Sequence, residues 1–160
     1  MQKTEKKRNP VIALQISLRF TKEYFKKLCE IQKNHTDVEI QESKELLIIW
    51  RALWVSLAIE IGKLFDAFDG YKKVISLKKI PFFKNAPWKD KIDSVHGEAI
   101  VSKIIKMRKN FTAHLGTNDE GIVSVKEICS SKLEKLLDDL DEPLNAFGRW
   151  FSSNHEKEKI

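Results

Sequence analysis

The sequence predicts an all-α fold, an up-and-down bundle of four to five helices joined mostly by short loops. Three observations predict it. Apolar residues recur at spacings of three and four over nearly the whole chain, the period of a helix with one buried face. Six glycines and four prolines are all that interrupt 160 residues, which leaves room for long elements. No stretch alternates convincingly between apolar and polar, "GIVSV" (121–125) coming nearest.

The first helix is predicted from Val11 to about Lys33, with Leu14, Leu18, Phe25 and Leu28 as its core stripe. A second runs from Glu39 to Phe68 on Leu46, Ile49, Leu53, Leu57, Ile61 and Leu64, with Arg51, Ser56, Glu60 and Lys63 on the opposite, wet face. Trp50, Trp54 and Ile59 widen its apolar arc, so this helix should pack on more than one neighbour. "DGYKKVISLKKIPFFKNAP" (69–87) carries glycine, two prolines and five lysines and reads as a connection.

Asn85 is placed to cap the next helix, with Pro87 in its first turn. That helix should extend to Leu115 on Ile100, Ile104, Met107 and Phe111, with an interruption at Gly97, and Gly116 supplies a helix stop. "SVKE" (124–127) and "SKLE" (131–134) have the Ser-x-x-Glu spacing of capping boxes. Leu133, Leu136 or Leu137, Leu140, Leu144, Phe147 and Phe151 then continue one face to the C-terminus, and Pro143 should kink that helix or divide it. The domain layout is a basic N-terminal tail (1–10), a single helical domain (11–152) and a polar C-terminal tail (153–160).

Composition narrows the function classes. With 42% hydrophobic residues the chain is long enough to bury a core. A net charge of +6 favours polyanionic partners. Cys29 and Cys129 are the only cysteines; a hundred residues apart, they suggest neither a disulfide framework nor a zinc site, and a reduced cytosol fits that usage. The most apolar stretch, "LLIIWRALWVSLAIEIG" (46–62), is short for a membrane span and carries Arg51 and Glu60. No HExxH, Gly-rich phosphate loop or GxSxG occurs. "LLDDLDE" (136–142) reads as solvated acids on a helix face rather than a metal box, and His35, His96 and His155 read as surface histidines.

"KMRKNFTAHLG" (106–116) is where chemistry concentrates. His114 follows Met107 and Phe111 along one line of the helix and so lies beside its apolar stripe. Arg108 is rotated from His114 by about 120°, so one straight helix does not bring the two together. A second copy of the helix across a two-fold axis would. The plain alternative is a histidine meeting the free carbonyls and negative dipole at a helix end.

"RKNFTAHL" (108–115) resembles the R-x(4–6)-H signature of the HEPN superfamily, with five residues between Arg108 and His114. The likeness is nearest to the AbiU2-like branch, associated with abortive infection by phage. "IIWRALWVSLAIEIGKLFD" (48–66) and "ISLKKI" (75–80) resemble the tryptophan-bearing second helix of such proteins and the segment after it. Residues 40–150 can be laid on the pattern in order. One departure is Lys109, where the family more often has asparagine; here Asn110 supplies the amide, turned by about 100° around the helix.

The resemblance implies a cytoplasmic, homodimeric, metal-independent endoribonuclease without a cofactor, the toxin of a phage-defence or toxin–antitoxin system, with RNA as substrate and an antitoxin protein as a further partner. Arg108 and His114 would be catalytic, with Asn110 and Lys109 in support. The chemistry suits these residue types. An imidazole, with an ordinary pKa of about 6.5, moves protons near neutrality. A guanidinium fork neutralises a phosphate gaining charge as the 2′-hydroxyl attacks it. Lys103, Lys106, Lys72, Lys73, Lys78 and Lys79 are candidate RNA contacts, those of 69–91 interleaved with Tyr71, Phe82, Phe83 and Trp88 as single-stranded RNA would require. The alternative is a non-catalytic HEPN-type module that binds RNA, a nucleotide or a partner protein.

Overall fold

A computed structural model describes residues 10–65, 89–113 and 125–155, the side chains of Pro10, Lys89, 107–113, Lys126, Asn154 and His155 excepted. Every regular element among them is helical: α1 (Pro10–Asn34), α2 (Asp37–Glu42), α3 (Lys44–Phe65), α4 (Lys89–His96), α5 (Ala99–Ala113), α6 (Val125–Cys129), α7 (Leu133–Asp138) and α8 (Asp141–His155). The all-α expectation holds. The predicted four to five helices correspond to four long ones, α1, α3, α5 and α8, with four short segments at the corners.

α1 opens on Pro10, at a position where the missing N–H costs nothing. Its predicted stripe of Leu14, Leu18, Phe25 and Leu28 is buried, together with Val11. Ser17 and Thr21 share that face. The buried Thr21 hydroxyl donates to the Ser17 carbonyl at 2.7 Å, so a polar group enters the core already satisfied.

The single helix predicted over 39–68 is two. Thr36 begins α2 with a capping box: its hydroxyl accepts from the Glu39 N–H at 3.2 Å, and the Glu39 carboxylate accepts from the Thr36 N–H at 2.7 Å. Ser43 then leaves the helical region (φ −85°, ψ 106°), and its hydroxyl accepts from the Leu46 N–H at 3.3 Å, which starts α3 afresh.

The buried arc of α3 keeps Leu57, Ile61 and Leu64 of the predicted stripe but is turned toward the tryptophan side. Trp50, Trp54, Leu57, Ala58, Ile61, Leu64 and Phe65 face the core, whereas Ile49 is 42% exposed and Glu60 is only 9% exposed. The physical reason is size. Two indoles on one side outweigh aliphatic residues on the other, and the helix turns to bury them. The price of that rotation is an outer face bearing Ile48, Ala52, Val55 and Ile59.

Side-chain pairs reveal the directions of the long helices. Trp50 meets Gln32 near the α1–α3 corner, so these two helices form an antiparallel hairpin. The Phe65 ring stacks on His96 at 5.5 Å, which sets the start of α5 beside the end of α3; since α5 packs along α3, it runs back antiparallel. Gln15 reaches Asn145 while Lys22 reaches Asp138 and Asp141, so α8 is antiparallel to α1. Up, down, up, down is therefore the order of α1, α3, α5 and α8.

The chain breaks at Gly97, as predicted, dividing α4 from α5. It also divides before Pro143, which then falls in the first turn of α8, where its ring clashes with no preceding carbonyl. The predicted box at 131–134 does not form. Lys132 is the N-cap of α7, and the Ser131 hydroxyl accepts from the Leu133 N–H at 3.1 Å while donating to the Ile128 carbonyl, tying α6 to α7.

The cysteines overturn another expectation. Cys29 on α1 and Cys129 on α6 form a disulfide, with Cα atoms 5.3 Å apart. Sequence separation hid the contact, and the packing of α6 on α1 creates it. No described helix is long and apolar enough to cross a membrane. The predicted elements at Phe68, 69–88, Leu115, Gly116 and Ser124 lie outside the described residues.

Candidate functional site

α5 is the element that carries the motif. Its first two turns bury Val101 and Ile104, with Ile100 and Ile105 half-buried at the flanks. The Gly97 and Glu98 N–H groups carry the backbone bonding through the turn, donating to the Asp93 and Val95 carbonyls at 2.9 and 3.2 Å. The Ser102 N–H starts α5 by donating to the Glu98 carbonyl at 3.1 Å. From there the helix runs unbroken through Arg108, Lys109 and Asn110 to Ala113.

Helical register locates these positions. Arg108 stands one turn beyond Ile104 and two beyond Val101, in line with the buried positions of the first half of the helix. Of the predicted stripe, Ile104 is buried and Ile100 is half-buried against the core, and Val101 is buried beside them. The side chains of Met107, Arg108, Lys109, Asn110 and Phe111 lie outside the described residues, and so does His114 altogether. No distance between Arg108 and His114 is therefore described.

Of the lysines named for RNA, two fall within the described residues. Lys103 is engaged: its Nζ donates to Glu127 Oε2 on α6 at 2.6 Å. Lys106 is exposed, with no ion-pair partner among the described residues. Lys72, Lys73, Lys78 and Lys79, and the aromatics around them, lie outside. So does the imidazole of His155.

His96 is more than a surface histidine. It is half-buried, and its ring stacks on Phe65 with an interplanar angle of 27°. Of the acids of 136–142, Asp138, Asp141 and Glu142 are exposed as expected and Asp139 is half-buried, and three of them bridge helices. Lys22 on α1 binds Asp138 at 2.7 Å and also Asp141, and Lys91 on α4 reaches Asp139 at 3.4 Å. Burial of Lys22 pulls its pKa down, but the two carboxylates outweigh that and hold it above the ordinary lysine value. Among the described residues no group of three His, Cys, Asp or Glu is placed to hold a metal ion.

Sequence reasoning missed one polar residue. Glu60 is expected on the wet face of α3 and is instead buried. Its Oε1 accepts from Lys63 Nζ at 2.6 Å, while its Oε2 is buried with no hydrogen-bond partner among the described residues. An unpaired acceptor of this kind is costly in a packed bundle and is a candidate for a role beyond packing. The signal for its burial is present in the sequence. Ile59, Ile61 and Leu64 surround Glu60 in a helix that is apolar on nearly every side.

Comparison of the chain with protein-family models, with curated proteins and with solved structures finds no match.

Proposed function

We propose that this protein is a metal-independent endoribonuclease whose site, Arg108 and His114 from two copies of the chain, is completed in a homodimer. The observation that carries the reading is that "RKNFTA" (108–113) closes α5, a long helix of an up-and-down bundle, with His114 the next residue in the sequence. On an ideal helix, positions 108 and 114 differ by about 120°, so a second copy is the direct way to unite them. In the reaction the 2′-hydroxyl attacks the adjacent phosphorus, the 5′-oxygen of the next nucleotide leaves, and a 2′,3′-cyclic phosphate forms. One imidazole takes the hydroxyl proton and the other protonates the leaving oxygen, while the two guanidinium groups stabilise the equatorial oxygens. The same reading makes the protein a toxin of the abortive-infection kind, with the exposed Lys106 beside the motif as an RNA contact.

A second reading is favoured by one observation: Arg108 shares the helical register of the buried Val101 and Ile104. An arginine held against its own bundle would serve structure, and the protein would then be a non-catalytic helical module binding RNA, a nucleotide or a partner protein.

One experiment separates the two. Purified wild-type, Arg108→Ala and His114→Ala proteins are incubated with structured and unstructured RNAs in EDTA. The nuclease reading expects cleavage to cyclic phosphate ends by the wild type and a loss of about 10²–10⁴ in rate for His114→Ala. Undiminished cleavage by His114→Ala would sink the mechanism. Binding without cleavage by the wild type would establish the second reading.

A further inference from the structure

The disulfide lies where it controls one small element. α6 is five residues long, too short to be stable as an isolated helix. It is held by the burial of Val125 and Ile128, by the exposed Lys103–Glu127 pair to α5, and by the Cys129–Cys29 bond to α1. Both cysteines are partly exposed, so a reductant can reach the bond without the bundle opening.

The rest of the fold does not need this bond. The core extends through α1, α3, α5, α7 and α8 on residues remote from it, among them Leu14, Trp54, Ile61, Leu137 and Phe147. A chain of 160 residues is well above the size at which a disulfide compensates for a small core. Only two cysteines are present, so there is no third thiol with which to reshuffle within the chain.

We propose that Cys29–Cys129 is a reversible redox latch on α6, opened by a protein dithiol and closed by a protein disulfide. One thiolate of the dithiol attacks a sulfur of the bond and forms a mixed disulfide, releasing the other cysteine as a thiolate. The second thiol of the reductant then displaces the remaining cysteine. Two electrons pass to the protein, its two thiolates take up two protons, and the reductant leaves as a disulfide. Opening leaves α6 on two buried apolar side chains, the Ser131–Ile128 bonds at its junction with α7 and one solvent-exposed ion pair, so α6 loosens from α1 while the four long helices persist. Lys103 on α5, three residues from Ile100 and five before Arg108, loses its carboxylate partner when α6 moves away. The latch stands whether or not the chain cleaves RNA.

The test uses the full chain equilibrated in dithiothreitol redox buffers, with thiol counting, hydrogen exchange and thermal unfolding. On reduction, two thiols should appear without denaturant. Amide exchange over Val125–Cys129 should rise at least about tenfold while that of α1 and α3 stays slow. The thermal midpoint should fall by on the order of 10 °C, and reoxidation should restore all three. Cys129→Ser and Cys29→Ser should show the reduced-state exchange pattern in oxidising buffer. Thiols that appear only in denaturant would make the bond a permanent staple and overturn the latch. So would two free thiols persisting in oxidised buffer, or reduction that leaves α6 exchange unchanged.

Discussion

Trp50 on α3 donates its indole N–H to the side-chain oxygen of Gln32 on α1 at 3.2 Å, and the amide nitrogen of the same Gln32 donates to Asp37 on α2 at 2.6 Å. One glutamine thereby ties three helices at the corner where the chain reverses. Glutamine suits the task because its amide accepts and donates at once. Trp50→Phe keeps most of the ring but removes the donor, and should cost about 1–2 kcal/mol. The measurement is urea unfolding of wild type, Trp50→Phe, Gln32→Leu and the double variant. Coupling near zero between the two single changes would mean the bond contributes nothing.

The capping box of α2 makes a pH prediction. Bonds from the Thr36 N–H and hydroxyl stabilise the ionised Glu39 carboxylate and hold its pKa below the ordinary 4.5. Since the folded value lies below the unfolded one, the stabilisation is present above about 4.5 and is lost as pH falls through the folded value. Carbon-detected NMR titration should find the Glu39 midpoint below the ordinary glutamate value. Thr36→Ala removes the hydroxyl but not the backbone N–H, so it should bring the midpoint only part of the way back. An unchanged midpoint in that variant would assign the whole shift to the backbone.

Gly148 sits where α8 meets α1. A methyl group there would come 3.1 Å from the Gln15 side-chain nitrogen and 3.6 Å from a Val11 methyl. The glutamine tip can move by breaking its bond to Asn145, and a helical Gly→Ala change gains about 0.5–1 kcal/mol of backbone entropy. Gly148→Ala should therefore change stability by less than about 1 kcal/mol. Gly148→Leu has nowhere to place its branch and should cost about 1–3 kcal/mol through the displaced α1–α8 contact. Thermal unfolding of the two variants checks the contrast, and equal effects would show that the helices do not meet closely there.

Under the proposed ribonuclease reading, the two lysines of α5 should differ in RNA binding. Lys106 is exposed, whereas Lys103 is held by Glu127. Lys106→Ala should lower the slope of log affinity against log salt by about 1, the signature of one lost phosphate contact. Lys103→Ala should lower it by less while the latch is closed. Filter binding to single-stranded RNA at a series of salt concentrations decides it, and equal slopes for both variants would remove Lys106 as a distinct contact.

Much of this fold is legible in one dimension. The stripe of α1, the break at Gly97 and the division before Pro143 come from local periodicity and backbone chemistry, because a helix forms within reach of its own hydrogen bonds. The start of α2 is less plain: periodicity begins the helix at Glu39, whereas the capping box at Thr36 begins it at Asp37. The site is less legible. Spacing identifies Arg108 and His114 and the angle between them, but the partner surface that would unite them is not encoded in spacing.

By itself, then, the sequence determined the helical class, the main core stripe and a motif that a single helix cannot close. Tertiary packing alone decided that Cys29 meets Cys129, that Lys103 is held by Glu127, and that α3 exposes Ile49. The reason is range. Periodicity states which residues of one helix share a face, whereas which face is buried depends on the volumes the neighbouring helices present, and those come from residues far away in the chain.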